Sequence, residues 1–220
     1  MAHIRSYVEP PQLYRYRPSE HLDREIQASH EGYLFCAAFD DLNDPMEGLF
    51  ASSRRLRNSD RYHEIRTAIR DSKSHIGICS FSEVQNHELM WAHYASQFKG
   101  ICIAYSLPRL LGSLANNVDF VRMYYNESVP IIGKTKKPAS ELARKILSYK
   151  NYRWLYEREW RMFAPQGKAF YTNPHCVTHV YLGSRMDPTD AQKVTTKLTP
   201  LKIKTITMFV KKYSIIFGNE

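Results

Sequence analysis

The feature that most limits what this chain can become is the irregular succession of short apolar, strand-like runs with helical segments between them. Leu13–Arg17, Tyr33–Cys36, Ile76–Ser82, Ile101–Tyr105, Val118–Tyr125, Val177–Leu182, Ile203–Val210 and Tyr213–Phe217 are rich in β-branched and aromatic residues. Helical stretches fall between some of them and not others, so no regular βαβ rhythm is set up. A doubly wound parallel sheet is therefore disfavoured, and an α+β fold with mixed, mainly antiparallel sheets and flanking helices is expected. Length and the lack of a linker, repeat or low-complexity tract point to a single domain over residues 1–220.

Local signals place the helices. Ser19 is a cap for a short helix carrying Leu22 and Ile26, closed by Gly32. Asp44, Pro45 and Glu47 read as a capping box, and Asn86 as the cap of a helix over 87–95. A basic helix is expected near 59–72, with Tyr62, Ile65 and Ile69 as its apolar stripe. Further helices are expected over 107–114 and 139–154, and after Asp187-Pro188.

The stretch Tyr156-Glu157-Arg158-Glu159-Trp160-Arg161-Met162-Phe163 carries the clearest chemical signal. Read as a strand, it places Glu157, Glu159 and Arg161 on one face and Tyr156, Trp160 and Met162 on the other. Two carboxylates on one face repel unless a substrate or cation makes use of them, which suggests a cleft wall. Other polar sets sit at strand ends or on short helices: Arg15 with Arg17, Ser80 with Ser82, and His87 with His93 and Tyr94. No Gly-x-Ser-x-Gly elbow, P-loop or GxGxxG fingerprint is present. His87 and His93 are not at the i, i+4 spacing that pairs two imidazoles, so no metal centre is assigned, and His93 is expected to bond into the core.

The formal charge of +9 favours nucleic-acid contact, DNA or RNA, with Arg54, Arg55, Arg57 and Arg61 as the densest basic group. Cys36, Cys79, Cys102 and Cys176 are far apart and read as reduced, buried thiols. The opening Met1–Ser6 lacks a signal peptide's apolar region and no apolar run reaches a membrane span, so a cytoplasmic protein without membrane association is expected.

Leu13–Arg17, Asn43–Glu47, Cys79–Ser82, Met90–Ala95, Gly100–Ile103, Tyr156–Arg161 and Tyr181–Gly183, in that order, resemble the signature series of the bacterial family catalogued as domain of unknown function 2971. That resemblance implies an effector of the kind met beside bacterial defence and mobile-element genes, with an antitoxin or defence-system protein as partner. A second likeness is to the arginine, Ser-x-Ser, Glu-x-Glu layout of ADP-ribosyltransferases, including toxins. It implies a split α+β sandwich around a cleft for NAD, the cosubstrate. Arg15 or Arg17 would hold the NAD phosphates, Ser80 or Ser82 the nicotinamide ribose, and Glu159 would be the catalytic glutamate, with Glu157 orienting or deprotonating the acceptor. His93 and Tyr94 complete the expected NAD-binding set, Tyr94 or Trp91 stacking on a base. The alternatives are a metal-dependent nuclease using Asp44, Glu47, Glu157 and Glu159, and a non-catalytic module that binds nucleotide or nucleic acid.

Overall fold

A computed structural model describes residues 9–218, and the Met1–Ser6 segment lies outside them. The fold is α+β with mostly antiparallel pairing, as the strand-like runs required. The chain, expected as one domain, forms two compact units, each assembled from separate stretches.

The first unit takes residues 9–32, 81–114 and 171–218. Its sheet is built on Gln12–Arg17, which pairs antiparallel with Ile101–Ser106, Arg15 facing Ile103. Ile101–Ser106 pairs antiparallel with Val177–Leu182. That strand pairs parallel with Lys204–Lys211, and Ser214–Phe217 closes the edge. The parallel step needs a crossover, and helix Pro188–Leu198 supplies it. Asp187 starts this helix as expected, its Oδ1 accepting the Thr189 N–H at 2.8 Å. Helix Leu22–Glu31 ends at Gly32 (φ 71°), where a left-handed residue lets the N–H reach Ala28 O. The expected caps at Ser19 and Asn86 are not used: Pro18 and His87 hold the N-terminal positions with no side-chain bond.

The second unit takes residues 33–80 and 115–170. Tyr33–Ala38 pairs antiparallel with Gly167–Phe170 and with Ile76–Ser82. Glu159–Pro165 pairs with Ile76–Ser82 and, antiparallel, with Asp119–Arg122. Helix Tyr62–Ser74 packs on helix Ala139–Leu147 around Leu56, Ile69, Ile132, Leu142 and Ile146, with Tyr62 and Ile65 partly buried beside them. The strand Ile76–Ser82 begins in this unit and ends in the first, where Ser82 faces Tyr14.

Three expectations are corrected here. The helix over 139–154 stops at Leu147, and Tyr149–Asn151 instead runs parallel to Tyr124–Asn126. Asn151 then accepts the Arg153 N–H at 3.0 Å and starts a 3₁₀ turn, Tyr152–Glu157. The expected strand from Tyr156 begins only at Glu159, because Arg158 is left-handed (φ 45°). Asp44 starts no helix: its Oδ1 accepts the Met46 N–H at 2.9 Å within a plain turn, and Glu47 points elsewhere. All four cysteines are free and buried. Among the described residues no helix is long and apolar enough to cross a membrane.

Candidate active site

In the second unit five charged side chains, Glu47, Lys150, Glu157, Glu159 and Arg161, meet out of solvent. Isolated buried charges cost many kcal/mol, so such a set persists only when its members pair. Glu159 and Arg161 share a face of their strand, and Arg161 Nε donates to Glu159 Oε1 at 2.7 Å. Arg161 Nη1 donates to Leu147 O at 2.9 Å, and Nη2 pairs with Glu47. Lys150 Nζ lies 2.6 Å from Glu157 Oε2, 3.1 Å from Glu159 Oε2 and 3.4 Å from Glu47 Oε1. Its ammonium also stands 5.1 Å from the Trp154 ring centroid.

Each residue arrives by a different local device. The left-handed Arg158 returns Glu157 from the 3₁₀ turn to the face of Glu159 that strand alternation alone was expected to supply. Lys150 comes from the short parallel strand, and Glu47 from the turn that begins at Asp44. Tyr125 fixes the start of the Glu159 strand, its hydroxyl oxygen accepting the Glu159 N–H at 2.7 Å.

The electrostatics follow from this geometry. Burial works to raise the Glu159 pKa, but Arg161 and Lys150 outweigh it and hold the carboxyl at about 2, helped by hydrogen bonds from Arg161 and Ser80. Burial pulls Lys150 down, and Glu159, Glu157 and Glu47 reverse this, so its pKa is raised. Burial and the nearby Glu159 charge raise the Tyr125 phenol. Glu159 is thus an anion at every physiological pH. Lys150 was missed in the sequence because an isolated lysine inside a helical pattern carries no signal. Its signal is tertiary, in the carboxylates around it.

A cavity of about 160 Å³ adjoins this set. Asp44, Glu47, Asn126, Glu127 and Lys150 supply its polar walls, and Met46, Leu49 and Val129 its apolar ones. Ser80 is exposed and belongs to the same unit as Glu159. Among the described residues no group of three His, Cys, Asp or Glu is placed to hold a metal ion. The carboxylates of the nuclease alternative include Glu47, Glu157 and Glu159, whose oxygens pair with Lys150 and Arg161.

The remaining expected NAD-binding residues belong to the first unit. Arg17 Nε pairs with buried Glu25 Oε1 at 2.7 Å, and Arg15 Nη1 stands 3.6 Å from Glu25 Oε2. Ser82 is buried, its Oγ accepting the Val84 N–H at 3.1 Å. His93, expected in the core, is exposed on helix Glu88–Tyr94. It lines a cavity of about 580 Å³ with Tyr16, Arg17, Tyr94 and Lys99. Trp91 is not free to stack on a base: it is fully buried, gives its indole N–H to Gln85 O at 2.8 Å and meets Tyr16 edge-on.

Arg54, Arg55 and Arg57 are exposed on helix Arg54–Arg57, which Ser53 caps by accepting the Leu56 N–H at 3.2 Å. Arg61 is exposed and forked onto Glu64. A basic surface of this kind is available to a polyanion, although Arg61 gives part of its charge to its neighbour.

No curated protein and no solved structure matches the chain. The model of the family described as "Protein of unknown function (DUF2971)" matches residues 90–162. That segment holds the Met90–Ala95, Gly100–Ile103 and Tyr156–Arg161 motifs together with Lys150, Glu157, Glu159 and Arg161. Over residues 90–162 the chain is similar to the DUF2971 family.

Proposed function

We propose that this chain is an NAD-dependent ADP-ribosyltransferase that acts as an effector of bacterial defence or toxin type. The observation that carries the reading is Glu159: a buried carboxylate kept ionised by Arg161 and Lys150, hydrogen-bonded to the exposed Ser80. Loss of nicotinamide leaves a ribose with oxocarbenium character, and a fixed anion stabilises that charge without reorganising. In the reaction the ribose C1′–nitrogen bond breaks and its electron pair leaves with nicotinamide. A lone pair of the acceptor forms the new bond to C1′, and Glu157 takes the acceptor's proton. The pairing of the Ser-x-Ser strand with the Glu159 strand adds support, since the likeness to transferases calls for those two segments.

Nucleic acid is the acceptor this reading favours, because Arg54, Arg55 and Arg57 stand exposed on a protein of net charge +9. The test is transfer of label from adenine-labelled NAD to RNA, DNA or lysate protein. Label in RNA or DNA that disappears with Glu159→Gln supports the reading. Label confined to protein moves the acceptor. No label anywhere, with Mg²⁺-dependent strand cleavage by the same preparation, replaces the reading with the nuclease.

A further inference from the structure

The cavity beside the buried charges is acidic in a protein whose net charge is +9. Asp44, Glu47 and Glu127 line it against one cation, Lys150, whose ammonium is already shared among three carboxylates. Within the buried set three carboxylates (Glu47, Glu157, Glu159) face two cations (Lys150, Arg161), leaving one negative charge uncompensated there. Asp44 adds to it. Its side chain is buried, Oδ1 accepts the Met46 N–H, and its second oxygen takes no hydrogen bond or ion pair among the described residues. Above these anions Met46, Leu49 and Val129 remain 53%, 52% and 45% exposed, an apolar rim around a charged floor.

We propose that this cavity binds an ammonium or guanidinium group carried on an aliphatic chain, the cation facing Asp44 and the stem lying on Met46, Leu49 and Val129. Lysine and arginine side chains, and polyamines, have this division into apolar stem and charged head. The volume fits such a group: about 160 Å³ is well below the roughly 300 Å³ at which pockets begin to hold whole ligands. A divalent metal fits less well, since it wants a shell of oxygens and gains nothing from an apolar rim. The proposal does not depend on NAD chemistry and is tested without NAD.

The experiment is calorimetric titration of the full chain with agmatine, with n-butanol and Mg²⁺ as the uncharged and hard-cation probes. Asp44→Asn keeps an Oδ1 acceptor for the Met46 N–H while removing the charge, and Leu49→Ser removes part of the rim. Saturable agmatine binding is expected, absent with n-butanol, weakened at least tenfold by Asp44→Asn and several-fold by Leu49→Ser, with unchanged circular dichroism in both variants. Putrescine and Nα-acetylarginine amide then separate a free polyamine from a protein side chain, and tighter binding of either is the chemistry proposed. Equal agmatine affinity in wild type and Asp44→Asn, no agmatine binding, or Mg²⁺ binding that displaces agmatine overturns it.

Discussion

Arg161 Nε donates to Glu159 Oε1 at 2.7 Å from two residues along the same strand, with both side chains out of solvent. Strand neighbours at this spacing share a face, so one strand carries both the anion and its first counter-ion. The second, Lys150, comes from a separate short strand and ties Glu157 to the same point. The charge state of Glu159 is therefore built into the fold.

That arrangement predicts an acid response. The folded Glu159 carboxyl has a pKa of about 2 against an ordinary 4.5, so its ionised form stabilises the fold above pH 4.5 and that contribution is lost as pH falls towards 2. Unfolding free energy measured with urea at pH 7 and at pH 2 to 3 will fall more steeply in wild type than in Glu159→Gln. The difference between the two is on the order of 3 kcal/mol. Parallel slopes would mean that Glu159 is not held ionised by its partners.

Lys150→Met will be among the most damaging single changes. It leaves Glu157 and Glu159 buried with Arg161 as the remaining cation of the set, and removing one partner of a buried ionic group costs about 3–5 kcal/mol. Adding Glu157→Gln to Lys150→Met will restore part of the loss, because it removes one of the stranded anions. Chemical denaturation of the single and double variants measures the recovery.

Close backbone approach predicts a third effect. A Cβ on Gly183 would stand 2.2 Å from Phe98 O and 2.8 Å from Gly100 O, where Gly183 N already donates to Gly100 O. Gly183→Ala will cost about 1–3 kcal/mol by overpacking. Gly112→Ala, whose new carbon meets nothing closer than 3.4 Å, will change stability little in the same urea titration.

Much of the fold was legible because it is written in local pattern. The apolar runs at Leu13, Ile76, Ile101 and Val177 became strands, Gly32 closed its helix and Asp187 opened another. What was not legible was decided by interactions between residues distant in sequence. Asp44-Pro45-Met46-Glu47 has the form of a capping box, yet Glu47 pairs with Arg161 and Lys150 instead of returning to its own turn. Residues 149–151 sit in a helical pattern, yet they pair with Tyr124–Asn126 and carry Lys150 among its carboxylates. Glu157 and Glu159 were found as a pair through an alternation that does not hold at Arg158.

The exposed arginines give a prediction for nucleic-acid binding. Arg55→Glu combined with Arg57→Glu will weaken binding to single-stranded RNA or duplex DNA and flatten the dependence of log K on log salt, by about one unit of slope for each phosphate no longer neutralised. Fluorescence anisotropy across a salt series reads both quantities. Unchanged affinity and slope would remove these arginines from the interface.

The most direct measurement is nicotinamide release from NAD, followed by chromatography, for wild type, Glu159→Gln and Ser80→Ala, each shown to be folded and assayed with and without nucleic acid. Ser80 is exposed, so Ser80→Ala reports on the site with little cost to the core. The account predicts release by wild type, a loss of at least a hundredfold with Glu159→Gln, in the range of a lost electrostatic stabiliser, and a smaller loss with Ser80→Ala. No release by folded wild type under any of these conditions, or equal release by wild type and Glu159→Gln, would contradict it.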